Sequence, residues 1–112
     1  MGKNITLSKE NAVLRELKES LKSLLGESLI RLVLFGSMAR GDYDNESDID
    51  VAIIVRGLTR NIKNHILENI ADIEFKRLIP ISTLVVSEDE YENLKRRERR
   101  IALDIEREGR PI

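Results

Sequence analysis

Residues 36 to 51 read Gly-Ser-Met-Ala-Arg-Gly-Asp-Tyr-Asp-Asn-Glu-Ser-Asp-Ile-Asp-Val. Two kinds of chemistry meet in this stretch. Gly36 and Ser37 follow an apolar run, Leu29 to Phe35, that reads as a buried strand. Glycine lets a ligand come close to the backbone, N–H groups at a helix start attract phosphate, and the Ser37 hydroxyl adds a donor. Arg40, one turn later, can neutralise phosphate charge. Asp48 and Asp50 open a second strand, Asp48 to Val55. Side chains alternate faces along a strand, so the two carboxylates share one face, about 6.6 Å apart along the backbone, with Ile49 and Val51 on the other. That spacing suits one or two Mg²⁺ ions, which prefer carboxylate and phosphate oxygens. The acid face continues into Ala52 and Ile54, where unpaired charge is costly and a cation would compensate it. Alone, Gly-Ser is an ordinary turn and Asp-x-Asp a solvated pair. Together, at this spacing, they indicate nucleotide chemistry.

The elements that must hold these residues follow from hydrophobic periodicity. Ser8 is a candidate cap for a first helix in which Val13, Leu14, Leu17, Leu21, Leu24 and Leu25 recur at helical spacing. Gly26 is its expected stop. After the first strand, Ser37 to Arg40 suggests a short helix and Gly41 to Ser47 a polar loop. Gly57 breaks the second strand. Thr59 can cap a helix with Ile62, Ile66, Ile70 and Ile73 on one stripe, widened by Leu67 and Ala71. Ile79 to Val86 is a third strand, and Pro80 near its start suggests an edge strand or a strand entrance. Ser87 and Glu90 form a capping box for a last helix whose buried face holds Tyr91, Leu94, Ile101, Ala102 and Ile105. Gly109 ends that helix and Pro111 prevents its continuation. The order predicts a small α/β or α+β domain, residues 1–112, with helices packed on a sheet.

Bulk properties set the limits. A chain of 112 residues is expected to form one domain with one modest core, so an acceptor would come from a partner, a second copy or solution. Net charge is −1, which gives no general pull toward nucleic acid or membrane. The absence of cysteine excludes disulfides and thiolate metal sites. No apolar run reaches the roughly 20 residues of a membrane span, and the start lacks a signal-like hydrophobic segment, so a cytoplasmic location is expected.

Gly36-Ser37-x-x-Arg40-Gly41 followed by Ser47-Asp48-x-Asp50-Val51 resembles the signature of the DNA polymerase beta-like nucleotidyltransferase superfamily, most of all its minimal prokaryotic members, the MNT type. The resemblance covers the element order, and its specific part is the Gly36 to Val51 core. It implies a small mixed sheet with helices packed on it. It implies that Asp48 and Asp50 hold Mg²⁺ as catalytic metal ligands. Gly36 and Ser37 would contact the nucleoside triphosphate, ATP or another, with Arg40 assisting at the phosphates. The implied reaction is attack of an acceptor oxygen on the α-phosphate with loss of pyrophosphate. It also implies a partner, because minimal members are often paired with a small helical HEPN-type protein and can act as its antitoxin. One feature departs from the pattern. Active members usually carry a third acid on a later strand, and here that strand offers Ser82 or Thr83, neither a good Mg²⁺ ligand nor a base. Glu74 and Glu88, on either side of it, read as surface acids.

The remaining features read as structural. Arg96, Arg97, Arg99 and Arg100 are interspersed with acids and lack neighbouring aromatics, which fits a solvated face better than a nucleic-acid platform. His65 lies on a polar helix side, Tyr43 in the loop beside the acids, and Tyr91 on a core face. Two functions compete: an Mg²⁺-dependent nucleotidyltransferase, and a nucleotide-binding module that neutralises a partner by occupation alone. A nucleic-acid-binding accessory protein is a weaker third, and a homo-oligomer is compatible with each.

Overall fold

In the computed structural model, which describes residues 2–41 and 48–112 and their side chains except those of 2–9, 37 and 38, two sheet faces divide the apolar residues between them. Helix α1 (Gly2–Leu25) leads through a 3₁₀ turn (Gly26–Ser28) into β1 (Leu29–Phe35) and a one-turn helix α2 (Gly36–Arg40). Strand β2 (Ile49–Val55), helix α3 (Arg60–Arg77) and strand β3 (Ile81–Ser87) follow. Helices α4 (Glu88–Arg96) and α5 (Arg100–Glu108) precede a short strand β4 (Arg110–Pro111). The sheet order is β3-β2-β1-β4. β1 is antiparallel to β2 and β4, while β2 and β3 are parallel. The mixed sheet is therefore as expected.

β2 is central, and its alternation sets both cores. Ile49, Val51, Ile53 and Val55 face α1 and α3, packing with Val13, Leu17, Leu21, Ile66, Ile70 and Ile73. Ala52 and Ile54 face α4 and α5, packing with Val33, Val86, Tyr91, Ala102 and Ile105. Asp50 continues that second row toward the start of the strand, on the side of Ala52 and Ile54. Three expected boundaries hold. Gly26 sits at φ +56° directly after α1, the Thr59 side chain accepts from Ile62 N–H at 3.2 Å, and Ser87 Oγ accepts from Glu90 N–H at 3.0 Å.

Several expectations are corrected. α1 begins at Gly2, before Ser8, so Ser8 does not start it. Leu24 is exposed. The single last helix is two, α4 and α5, because Glu98 takes a left-handed φ of +53° and Arg99 is extended. The break changes the helical phase, which leaves Ile101 partly exposed while Ala102 and Ile105 are buried. Pro111 does more than stop a helix: it pairs with Val33 in β4. Leu67 and Ala71 do not widen the core. They lie exposed on the flank of α3 away from α1, because α1 takes the opposite flank, where Glu16 accepts from Lys76 and Arg77. The loop expected over 41–47 reaches outside the described residues, and Tyr43 and Ser47 fall there. The Ser37 hydroxyl is likewise outside them.

Two acids brace the helices. The Tyr91 hydroxyl and Arg31 Nη1 each donate to Glu106 Oε2 at 2.6 Å. Burial, then this carboxylate, pushes the Tyr91 hydroxyl up to about 12. Glu106 is held below the usual carboxylate range by Tyr91 and then Arg31, and Glu16 by Lys76 and then Arg77. A carboxyl whose folded pKa lies below its unfolded value stabilises the fold above that unfolded value and stops doing so as pH falls through the folded one. Thermal stability is therefore expected to stay level near neutral pH and to fall once pH drops below 4.5, the ordinary glutamate value. Glu106→Gln should lower Tm at neutral pH and flatten the acid decline. A circular dichroism melt series in pH checks both, and an unchanged acid slope would remove Glu106 from this role.

Candidate active site

The strand register assembles the site. Phe35, the last residue of β1, pairs with Asp50 of β2, so the turn residue Gly36 lies against the Asp50 carboxyl. Gly36 has φ +74°, and a Cβ built on it would stand 2.2 Å from Asp50 Oδ2. Glycine is required here twice over, by backbone conformation and by the absence of room. Gly36→Ala is expected to destabilise the fold by about 1–2 kcal/mol from the left-handed backbone, and also to displace the Asp50 carboxyl. A denaturant titration combined with nucleotide-binding calorimetry checks both effects. Normal stability with normal binding would contradict this reading of Gly36.

Asp48 is exposed just ahead of β2, and Asp50 is half-buried. Burial pushes the Asp50 carboxyl up, the Asp48 charge adds to the rise, and Arg40 counters it. The two acids and Arg40 are therefore close enough to feel one another. Arg40 Nη1 also donates to Glu108 Oε2 at 3.1 Å, which ties α2 to the end of α5. Glu108 was not legible in the sequence. Nothing local marks it, since it lies 68 residues from Arg40 and is brought there by the packing of α5 on α2.

The parallel register of β2 and β3 decides between Ser82 and Thr83. Asp50 pairs with Ser82, and paired residues in a ladder share a face. Leu84 and Val86, on Ser82's side of the strand, pack with Ala52 and Ile54, while Thr83 points to the other face. Ser82 is exposed beside Asp50. Glu74 reaches the same end of the sheet from the α3 face, where its Oε2 accepts from Ile81 N–H at 3.0 Å. Glu88 sits at the other end and pairs with Arg56 at 3.3 Å. Neither supplies a third acid. His65 is exposed near Glu68, and the arginines at 96, 97, 99 and 100 are exposed around the α4–α5 turn.

Among the described residues no cluster of three or more His, Cys, Asp or Glu side chains could hold a metal. Two carboxylates remain at the mouth of an open turn. That donor set fits a hard cation arriving with phosphate oxygens, because Mg²⁺ is commonly held by one or two carboxylates plus substrate phosphates rather than by an all-protein cage.

A family model described as a nucleotidyltransferase domain matches residues 14–108. The chain belongs to the nucleotidyltransferase domain family. A relative from Methanocaldococcus jannaschii, named "Putative protein adenylyltransferase MJ0141", is 37% identical over 89 residues, covering 72% of this chain and 90% of its own. A second from the same organism, "Putative protein adenylyltransferase MJ0604", is 44% identical over 45 residues, covering 40% and 45%. Among solved structures, a nucleotidyltransferase from Sulfolobus solfataricus, titled putative, aligns with a TM-score of 0.47 at 22% identity over 93% of this chain and 85% of that one. The match to the family model takes in β1 through α5, so every residue of this nucleotidyltransferase domain's candidate site lies inside it.

Proposed function

We propose that this domain transfers a nucleotidyl group from ATP, with Mg²⁺, to a hydroxyl of a protein acceptor. The observation that carries the reading is the contact of Gly36 with the Asp50 carboxyl: the phosphate-holding turn and the acid pair meet at one point. In the proposed reaction the acceptor hydroxyl gives its proton to water and its oxygen forms a bond to the α-phosphorus. The bond from that phosphorus to the bridging oxygen of the β-phosphate breaks, and pyrophosphate leaves. Asp48 and Asp50 would hold the Mg²⁺, which when bound supplies positive charge against the phosphate oxygens. Gly36 keeps side-chain bulk away from the nucleotide, Ser37 would contact the triphosphate, and Arg40 adds positive charge beside the acids, oriented by Glu108. Positioning and charge account for most of such a rate enhancement.

The protein acceptor is suggested by the relatives' names and by the openness of the site, since Asp48 and Ser82 are both exposed and a macromolecular hydroxyl can approach. A small helical HEPN-type protein is the proposed acceptor, with the transferase as its antitoxin. Ser82 favours a second reading. A hydroxyl in the place of a third carboxylate is a poor base at neutral pH, which suits a module that binds nucleotide and neutralises its partner by occupation. Incubation of the domain with α-labelled ATP, Mg²⁺ and the partner separates the two. Label on the partner supports transfer, whereas nucleotide binding without label supports the module.

A further inference from the structure

The apolar flank of α3 lies beside the outer edge of the sheet. Leu67, Ala71, Phe75 and Leu78 follow one another at helical spacing on the side away from α1. Phe75 and Leu78 are 84% and 80% exposed. With Pro80 and Ile79 they line a shallow groove at the entrance of β3, where Glu74 receives the Ile81 N–H. β3 itself ends the sheet. Its sequence, Ile-Ser-Thr-Leu-Val-Val-Ser, has no charge and no proline, and its ladder to β2 runs without a bulge. Folds normally protect an edge strand with such devices; here Glu74 takes the Ile81 N–H, and the rest of the strand lacks them, which invites another strand. Exposed apolar groups gathered in one patch likewise mark an interface.

We infer that this side of the molecule is the interface of a two-fold symmetric dimer, in which β3 of two copies pair antiparallel and join the sheets. What covers the surface must offer a strand at the height of β3 and an apolar helix at the height of α3. A second copy of this chain offers both, with the same offset. The geometry is self-consistent. A two-fold axis at Leu84, the middle of Ile81–Ser87, lies about 10 Å into the strand. α3 precedes β3 in the crossover between parallel strands and returns antiparallel to them. The same climb along α3 takes about seven residues, which brings Ala71 level with the axis. The smallest residue of the stripe then faces its own copy, and Phe75 of one chain meets Leu67 of the other. A strand edge and helix flank of this length present on the order of 600–800 Å² per copy, close to the size of a standard stable interface. Ser82 of β3 borders the candidate site beside Asp50, whereas Ala71, Phe75 and Leu78, the positions varied below, line the groove away from it, so their test is independent of the nucleotide chemistry.

Sedimentation equilibrium and light scattering test it. The wild-type chain is expected at twice its monomer mass. Phe75→Glu and Leu78→Glu should each weaken self-association at least a hundredfold, because each buries a charge in the paired apolar stripe. Both side chains are exposed in the monomer, so the circular dichroism spectrum and Tm measured at low concentration should stay unchanged. The chain has no cysteine, so Ala71→Cys should oxidise to a covalent dimer while Glu92→Cys, on α4, should not. A monomeric wild type overturns the inference. So does a dimer that survives both glutamate variants. So does a monomer whose Phe75 stripe instead captures a helical protein of different sequence.

Discussion

Asp50→Asn is expected to lower nucleotidyl transfer by roughly a thousandfold, the scale of removing a carboxylate that holds a catalytic cation, while Tm stays level or rises. The opposite directions come from one cause. Burial and the neighbouring Asp48 charge push the Asp50 carboxyl up, against the pull of Arg40. A carboxyl whose pKa is raised by folding opposes folding once it is ionised, and the amide of asparagine keeps the shape without the charge. Asp48→Asn should lower transfer comparably with little effect on Tm, since Asp48 is exposed. Transfer of label from ATP and thermal melts of the same preparations check the pair. A variant that loses stability together with activity would make Asp50 a structural acid and remove the basis for the metal site.

Ser82→Asp is expected to raise transfer by about ten- to a hundredfold and to tighten binding of Mn²⁺ in the presence of nucleotide by about tenfold. Ser82 is paired with Asp50 on the same face of the sheet. It is exposed, so a longer acidic side chain meets no packed neighbour that must yield. The added carboxylate would stand beside the two present and supply the base that a serine hydroxyl does not. Thr83→Asp, on the opposite face, should give no gain and serves as the control. Equal gains at 82 and 83 would show that extra negative charge, rather than position in the ladder, is responsible. No gain in metal affinity at 82 would place any missing ligand on the acceptor or on a partner.

Local patterns carried much of this protein into view. The strand Leu29–Phe35, the Thr59 and Ser87 caps, and the shared face of Asp50, Ala52 and Ile54 all arise from interactions within a few residues. Such interactions leave a signature in sequence because the partners are fixed by chain spacing. The break between α4 and α5 escaped that reading. Arg97, Glu98 and Arg99 are ordinary helix residues, and it is the packing of Tyr91 on one side of the turn and Ile105 on the other against the same sheet face that forces Glu98 into a left-handed conformation. Leu67 and Ala71 escaped it for a related reason. Periodicity says which residues are apolar, and only the position of α1 decides which flank of α3 is covered.

The candidate residues for phosphate and cation, Gly36, Ser37, Arg40, Asp48 and Asp50, were picked out by the sequence itself, through their types and spacing. The meeting of Gly36, Arg40 and Asp48 around Asp50 was decided by tertiary structure. Antiparallel register sets Phe35 opposite Asp50 and so presses Gly36 against its carboxyl. Parallel register sets Ser82, rather than Thr83, beside the same acid, and the end of α5 brings Glu108 to Arg40. Register is a relation between segments distant along the chain, fixed by the burial of whole strand faces on both sides of the sheet. No single stretch of sequence contains it.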